Sequence, residues 1–299
     1  MHIDRVWGTL GEPADWQTSA RLLHLVETKI AVLRHALYEE GASVPTHRHD
    51  RASLVYGVGG PCTEVNGSSQ TIRRRLTFLP EGHEHALEYK GATHVLAIEI
   101  APDWLRRTCN GHVPTEMVAL PATLYNRVWR VMIEIASRAP DAAVSASLGE
   151  LVRAAMDYVR APPSPLVIAL IDDLHQHWKD VPSVSQLARK YSLSRQYVCR
   201  VFRKGLGITL QQYGLLVRLD YARGMLWGTQ LPIAQIAAET GFADQSHLTR
   251  ALSAHSAWSP LRLRWLAPCL ENDSCVPLMP SRYHHAGSSK PPWNRTIPR

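Results

Sequence analysis

Residues 233–250 read IAQIAAETGFADQSHLTR, and this stretch decides the fold of the second half of the chain. Its apolar residues, among them Ile233 and Ile236, recur at the spacing of one helix face. Gly241-Phe242 is typical of a tight turn, and Asp244 is a residue type that caps the next helix. The stretch therefore predicts two short helices joined by a turn, a helix-turn-helix.

A second helix-turn-helix is predicted earlier in the chain. Ser183 and Ser194 are residue types that cap helix N-termini, and Gly207 is the type that ends a helix in the left-handed conformation. Helical periodicity from about residue 209 to residue 227 predicts one long helix between the two units. Two such units joined by a helix form a far more specific pattern than one.

The second helix of each unit is predicted to present polar and basic side chains outward, as a DNA-reading helix does. Arginine pairs with guanine in the major groove and glutamine with adenine. We therefore expect Arg200 and Arg250 to contact guanine, and Gln196 and Gln245 to contact adenine. The predicted DNA-contacting set is Ser194, Arg195, Gln196, Arg200, Arg203 and Lys204 in the first unit, and Gln245, Ser246, Thr249 and Arg250 in the second.

The other members of the set are expected to play supporting parts. Arg195, Arg203 and Lys204 are predicted to bind phosphates, which fixes the register of the protein on DNA but reads no sequence. Ser246 and Thr249 are predicted as secondary contacts. The two helices of one chain would enter successive major-groove segments about one turn, ~34 Å, apart.

Charge and composition agree with a nucleic-acid partner. The 299 residues carry 33 Lys and Arg against 26 Asp and Glu. Residues 1–164 have a net charge of −1, whereas residues 165–267 have +6, which is the footprint of a DNA-binding module. Five scattered cysteines exclude a disulfide scaffold and a zinc ribbon. With no apolar run long enough for a membrane and no secretory signal, a cytoplasmic protein without membrane contact is predicted.

The first half of the chain predicts strands followed by two helices. Short β-branched and apolar runs alternate with Gly, Pro and Asn-Gly up to about residue 100. The predicted strands are Lys29–Leu37, Ser53–Val58, Leu76–Leu79 and His94–Ile100, with a turn at Asn66-Gly67. Helical periodicity then covers residues 124–137 and 147–160, and these helices are expected to pack on the strands or on a second subunit.

Residues 165–265 resemble the DNA-binding domain of AraC/XylS-family transcription regulators. The matching stretches are Leu187-Ala188, Ser194 through Lys204 with Gly207, Arg218 through Ala222, Ile233 through Ala237, Gly241 through His247, Arg250, and Ser259-Pro260. The resemblance implies a sequence-specific regulator that binds double-stranded DNA and forms a homodimer. RNA polymerase is a further implied partner if the protein activates transcription.

Two motifs near the N-terminus resemble those of the cupin fold, the usual effector domain of AraC-type regulators. The first is Gly41-x5-His47-x-His49, and the second is Pro80-Glu81-Gly82-x2-His85. The resemblance implies a small β-barrel. In metal-binding cupins, two histidines and a glutamate of the first motif join a histidine of the second.

The glutamate of that set is missing here, because Ser53 and Leu54 occupy its expected positions. We therefore expect His47, His49 and His85 to line a pocket for a small organic effector, with no cofactor required and a metal disfavoured. One alternative is a metal-dependent cupin enzyme or metal sensor fused to a DNA-binding domain, in which the three histidines are the ligands. Another is a barrel that serves only for oligomerisation.

The sequence predicts an α+β fold, namely a cupin-like β-barrel with two helices followed by an all-α domain of two helix-turn-helix units joined by a long helix. Its predicted parts are an effector and dimerisation domain at 1–160, a linker at 161–165, a DNA-binding domain at 166–267 and a disordered tail at 268–299. We predict a transcription regulator controlled by a small molecule, and not an enzyme.

Overall fold

The computed structural model describes residues 20–60, 62–66, 69–72, 76–256 and 258–271. They form two compact units, each described separately below. Unit 1 contains the described residues up to Leu124 together with Pro140–Pro162, and unit 2 contains Tyr125–Ala139 together with the described residues from Pro163 onward. No helix within the described ranges is long and apolar enough to cross a membrane.

The described part of unit 1 forms two antiparallel sheets. A six-stranded sheet has the order β1-β2-β9-β4-β7-β10, and a four-stranded sheet has the order β3-β8-β5-β6. The strands are β1 Ala20–Glu27, β2 Ala31–Tyr38, β3 Ser43–Arg48, β4 Ser53–Gly59, β5 Cys62–Asn66, β6 Ser69–Ile72, β7 Leu76–Leu79, β8 Glu84–Tyr89, β9 Thr93–Ile100 and β10 Val118–Ala119.

The two sheets share one hydrophobic core. Tyr38 of β2 stacks on Tyr89 of β8, with ring centroids 4.3 Å apart. Since alternate residues of a strand face the same side, this contact fixes which residues point between the sheets. The buried residues of this core are Ala36, Tyr38, Val55, Leu79 and Val95 from the larger sheet and Val44, Leu87 and Tyr89 from the smaller one.

The described part of unit 1 also contains two helices and a short 3₁₀ turn. They are α1 Pro102–Thr108, the 3₁₀ turn Ala122–Leu124 and α3 Asp141–Arg160. Apolar residues recur along one face of α3, and Leu148, Leu151 and Val152 are fully buried. This burial agrees with the apolar stripe read from the sequence.

The described part of unit 2 is all-helical. Its helices are α2 Tyr125–Ala136, α4 Pro165–Gln176, α5 Val184–Lys190, α6 Arg195–Leu206, α7 Leu210–Gly228, α8 Ile233–Glu239, α9 Gln245–Ser256 and α10 Pro260–Glu271. Helices α5 and α6 form one helix-turn-helix, α8 and α9 form the other, and α7 connects them. The predicted α+β fold with a double helix-turn-helix is confirmed.

The capping residues read from the sequence act as predicted. The hydroxyl of Ser194 accepts a hydrogen bond from Tyr197 N, at the start of α6, and Gly207 ends that helix with φ of 74°. The Asp244 carboxylate accepts from His247 N at 2.7 Å. The second helix of each helix-turn-helix, α6 or α9, therefore begins at a capped N-terminus. We call α6 and α9 the recognition helices below.

The structure corrects the sequence-based boundaries in four places. The unpredicted elements are strands β1, β3, β5, β6, β8 and β10 and helix α1, and most of them lack a continuous apolar run. Helix α3 begins at Asp141, ahead of residue 147, because Pro140 suits the position before a first turn. Helix α10 continues to Glu271, into the predicted tail. The rest of that tail, residues 272–299, and Gly67 of the predicted turn lie outside the described residues.

The fourth difference concerns helix α2. The sequence places residues 125–136 in the domain at 1–160, but by its contacts this helix belongs to unit 2. It packs against α9 and α10, so its apolar face is covered by other helices of unit 2. Periodicity predicts that a helix has an apolar face and does not predict what covers it.

Candidate DNA-binding surface and histidine cluster

Helix α6, in the first helix-turn-helix of unit 2, presents its predicted DNA-contact residues to solvent. Val198 and Phe202 are buried beneath it. The exposed residues of its outer face are Arg195, Gln196, Arg200, Arg203 and Lys204, and Ser194 is exposed at its N-cap. No described residue forms an ion pair with these cations, so their charge remains available to a polyanion.

Tyr197 also belongs to the exposed surface of α6, and the sequence analysis did not predict it. Its ring is 39% exposed on α6, and the guanidinium carbon of Arg200 lies 5.4 Å from the ring centroid. An aromatic ring beneath a guanidinium limits its rotamers and adds a modest attraction. Tyr197 thus helps to orient Arg200, at an exposed position where an apolar pattern gives no signal.

Helix α9 carries the predicted DNA-contact residues of the second helix-turn-helix, and its outer face is less basic than that of α6. Leu248 and Leu252 are buried, and Gln245, Ser246 and Arg250 are exposed. Thr249 is half-buried, and its hydroxyl donates to the carbonyl oxygen of Gln245 at 2.8 Å. The Thr249 side chain is therefore left with acceptor capacity only, which reduces its value as a base contact.

In the second helix-turn-helix, a residue of α7 stabilises the turn between α8 and α9. Arg218 Nη1 donates to the carbonyl oxygen of Gly241 at 2.8 Å, and the guanidinium lies 5.3 Å from the ring of Phe242. Gly241 has φ of 74°, in the left-handed region that favours glycine. Burial lowers the pKa of Arg218, although an arginine remains charged. Helix α7 thereby fixes the turn from which α9 starts.

In unit 1 the structure brings the three predicted histidines together. His47 on β3 and His85 on β8 are direct cross-strand partners, and His47 Nε2 lies 3.2 Å from His49 Nε2. One ring nitrogen from each histidine lies within 4.8 Å of the others. His85 is buried, and His47 and His49 are half-buried. The cluster is thus partly accessible.

The donor set of this cluster fits a transition metal. His47 Nδ1 lies 2.9 Å from the carbonyl oxygen of Pro45, a bond in which Nδ1–H donates and Nε2 keeps its lone pair. Ring orientation by a backbone carbonyl is typical of ligand histidines. Two nitrogens bound to one tetrahedral zinc stand about 3.3 Å apart, close to the observed His47–His49 distance.

Two buried carboxylates of unit 1 were not found by sequence reasoning. Glu64 of β5 is buried, and its Oε1 lies 2.9 Å from Nε2 of His83, whose ring stacks near that of His85. Glu99 of β9 is paired directly with Ser53, the position where a cupin glutamate was expected. Both carboxylates come from strands outside the two motifs, so motif spacing could not indicate them.

Glu99 forms a buried ion pair with Arg34 of β2. Both side chains face the space between the sheets, since Arg34 is two residues from Ala36 and Glu99 four from Val95, both of which belong to the core. Glu99 Oε2 has no hydrogen-bond partner among the described residues. The interior of unit 1 is therefore apolar around Tyr38 and polar towards Arg34.

A second row of histidines crosses the opposite face of the larger sheet. His35 Nδ1 lies 3.4 Å from His24 Nδ1, and His35 Nε2 lies 3.2 Å from His94 Nδ1. Burial, with the charge of Arg21 as a smaller cause, lowers the pKa of His94 to about 4, and burial also lowers the pKa of His35 well below its usual value. The rings of His35 and His94 are therefore neutral at pH 7 and are buried in the sheet.

Comparison with known proteins supports the interpretation of unit 2 as a helix-turn-helix domain. A family model described as a helix-turn-helix domain matches residues 187–265. The chain is 24% identical over 227 residues to LumQ of Photobacterium leiognathi, named a probable transcriptional regulator, with 73% of this chain and 91% of LumQ covered. It is 25% identical over 242 residues to the transcriptional activator RhaS of Escherichia fergusonii, covering 74% of this chain and 87% of RhaS.

Among solved structures, the chain is similar to an AraC-type DNA-binding domain protein from Chromobacterium violaceum. That match has 26% identity and a TM-score of 0.33, and it covers 33% of this chain and 89% of the other. Residues 187–265, which the helix-turn-helix family model matches, run from within α5 to within α10 and contain both recognition helices. The family model and the regulators LumQ and RhaS confirm the predicted resemblance to AraC/XylS-family regulators.

Proposed function

We propose that this chain, a helix-turn-helix transcription regulator of the AraC/XylS type, binds one operator sequence through α6 and α9 under the control of a small molecule. One observation carries the DNA-binding part. Both recognition helices are capped, both present polar faces whose cations pair with no described residue, and α7 joins them covalently. A single chain can therefore present two reading surfaces to one stretch of DNA.

Each predicted contact has a defined part in this proposal. Arg200 and Arg250 form paired hydrogen bonds with guanine, and Gln196 and Gln245 with adenine. Lys204 and its basic neighbours Arg195 and Arg203 bind phosphates and set the register. Ser194, Ser246 and Thr249 lie at the edges of these surfaces and add single hydrogen bonds.

In vitro selection with the full-length protein tests this proposal. Random duplex DNA is incubated with the protein, and bound sequences are amplified and counted over several rounds. The proposal expects a two-part motif whose halves are centred about 10 bp apart, bound about 10³-fold or more tightly than scrambled DNA. Enrichment of no motif would contradict it.

We place the effector in the polar part of the interior of unit 1. Histidine nitrogens and the buried Arg34–Glu99 pair offer donors and acceptors beside an apolar core, the usual composition of a small-molecule site. An effector changes DNA binding only if it binds one arrangement of the protein better than another. Homodimer formation and contact with RNA polymerase remain part of the proposal.

Thermal unfolding in the presence of a library of polar metabolites tests the effector site. A true effector should raise the melting temperature of the wild-type protein and change its affinity for the selected operator. The same compound should do neither in a His85→Ala variant that still binds the operator. If no compound acts on the wild type, a barrel that serves only oligomerisation becomes the better account.

A metal-loaded unit 1 is the second candidate, favoured by the spacing of His47, His49 and His85. Imidazole ligands suit zinc, iron, copper and nickel, and three histidines would leave positions open for a sensed or reacting molecule. Mass spectrometry on untagged, unchelated protein should then find about one metal per chain, lost in a His47→Ala/His49→Ala variant. Substoichiometric metal, unchanged by the substitutions, would leave the organic effector as the working account.

A further inference from the structure

Helix α2 is an excursion of the chain out of unit 1 into unit 2. The residues up to Leu124 belong to unit 1, Tyr125–Ala139 belong to unit 2, and the chain returns to unit 1 at Pro140. Leu124 is the buried last residue of a 3₁₀ turn and is followed directly by the first residue of α2. The connection at that end of the helix therefore has no linker residue to absorb movement.

A buried hydrogen bond anchors α2 to α7. Nε1 of Trp129 donates to Oδ1 of Asp220 at 2.9 Å, and the two residues are 1% and 0% exposed. The guanidinium carbon of Arg223 lies 5.8 Å from the Trp129 ring centroid, and the Trp227 ring lies 5.1 Å away. A buried carboxylate is costly unless its oxygens are bonded, so the hydrogen bond from the Trp129 N–H helps to offset the burial of Asp220.

A second contact at the start of α2 reaches α4 and, through it, α7 again. The Tyr125 ring packs edge-on against His175 of α4, with centroids 6.1 Å apart. His175 Nε2 in turn lies 3.1 Å from the hydroxyl oxygen of Tyr213 in α7. Two separate contacts therefore fix both the position and the rotation of α2 in unit 2.

The two recognition helices differ in their relation to α2. Helix α6 packs on α4, α5 and α7, whereas α9 packs on α7, α8 and α2. Helix α2 also packs on α10, which follows α9 in the chain. The second reading surface thus rests on a helix that is covalently continuous with unit 1 at both ends, and the first does not.

We propose that α2 is the positioning element of the second recognition helix, with Trp129 as its anchor, and the route by which unit 1 influences DNA binding. The inference rests on the proposed DNA-binding function. A change in unit 1 that moves the residues flanking α2 acts directly on the support of α9 and reaches α6 through α4 and α7. The second operator segment, read by α9, is then the regulated one, and the first supplies constant affinity.

The test compares full-length Trp129→Phe with a matched Trp178→Phe variant. Phenylalanine keeps an aromatic ring at position 129 but removes the N–H donor together with part of the indole ring system, and the matched Trp178→Phe variant makes the same change in ring size. Trp178 stacks on Tyr221 of α7, with centroids 3.7 Å apart, so its substitution perturbs the same connecting helix without touching α2. Asp220→Asn, which keeps a carbonyl acceptor for Trp129, serves as a second and milder variant if Trp129→Phe does not fold.

The first readout is amide hydrogen exchange, which needs no DNA. Loss of the anchor should lower protection in Gln245–Ser256 by about fivefold or more, in line with the loss of one buried hydrogen bond. Protection in Arg195–Leu206 should stay unchanged, and Trp178→Phe should not reproduce the pattern. An equal fall in both helices, or in neither, would overturn the inference.

The second readout is affinity for the selected operator and for copies with one segment scrambled. Trp129→Phe should weaken binding to the intact operator by about fivefold or more, yet match the wild type when the α9 segment is already scrambled. Equal losses on both DNAs would show a general structural role and contradict positioning. If the wild type selects no operator, the proposed function fails while hydrogen exchange still decides whether α2 supports α9.

Discussion

The recognition surfaces of unit 2 and the interior of unit 1 hold their polar groups in opposite ways. Helices α6 and α9 expose their cations, and Arg200 and Arg250 meet no anionic partner among the described residues. Unit 1 buries polar side chains between and behind its sheets, as the Arg34–Glu99 pair and the neutral His35 and His94 show. Exposed charge suits a large, rigid polyanion, whereas buried polar groups suit a small ligand that must be desolvated. The contrast predicts that substitutions of buried polar residues in unit 1 lower the stability of the protein. Substitutions of exposed residues on α6 and α9 should instead lower its affinity for DNA.

The largest effect is expected where the buried ion pair of unit 1 is broken. Glu99→Ala leaves the guanidinium of Arg34 buried without its partner, which should lower the free energy of unfolding by about 3–5 kcal/mol. The matched control is Arg106→Ala, which breaks the exposed pair with Asp103 in the same unit and should cost about 0–1 kcal/mol. Urea denaturation measures both. Similar costs for the two variants would remove the contrast between buried and exposed charge.

Acid should destabilise unit 1 through its buried histidines. The pKa of His94 is about 4 in the folded protein against about 6.5 when unfolded, so the unfolded state binds more protons between these values. Stability is fully present above pH 6.5 and is lost as the pH falls towards 4, by about 3 kcal/mol for His94. The pKa of His35, which lies beside His94, is lowered as well, so His35 contributes in the same sense.

Denaturation with urea between pH 7.5 and pH 4.5 measures this dependence. A His94→Leu variant should lose less stability than the wild type over the same range, because one of the titrating groups is gone. Identical pH profiles for the two proteins would show that His94 is not the source. DNA-contact variants of unit 2, such as Arg250→Ala, should keep the wild-type profile.

Substitution of exposed residues on the recognition helices should lower DNA affinity and leave stability unchanged. Arg200→Ala and Arg250→Ala should each weaken binding to the selected operator by about 1–3 kcal/mol and relax selectivity at one base pair. Their melting temperatures should stay within about one degree of the wild type, since surface substitutions usually change stability by under ~0.5 kcal/mol. Arg106→Ala controls for the loss of one positive charge. Undiminished operator binding would remove the residue in question from the reading set.

The smallest effect is expected at a phosphate contact. Lys204→Ala should weaken binding to all DNA sequences alike and reduce the slope of log affinity against log salt by about 1. Titrations between 50 and 200 mM KCl on the operator and on scrambled DNA measure both quantities. A loss confined to the operator would instead assign Lys204 to base reading.

The same contrast explains what the sequence could predict. The recognition surfaces depend on local rules, because the caps Ser194 and Asp244 and the buried Val198 and Leu248 lie within a few residues of the side chains they orient. Periodicity and capping therefore placed the exposed faces of α6 and α9 correctly. The assignment of individual DNA contacts stays a prediction.

The site in unit 1 depends on pairing between distant strands. The two cupin-like motifs brought His47 and His85 together as expected, but Glu64 and Glu99 arrive from strands outside those motifs, as β-sheet register decides. Helix α2 is a similar case, since its apolar stripe predicts burial without naming the partner. Tertiary packing, and not local pattern, determines both.

The central claim is that one chain reads two successive major-groove segments through α6 and α9. The most direct measurement is the affinity of the full-length protein for its selected operator with 5 bp inserted between the two segments. Half a helical turn places the second segment on the opposite face of the DNA, and α7 is a continuous helix of 19 residues. Affinity should fall to that of an operator with one segment scrambled. Unchanged affinity would contradict the account.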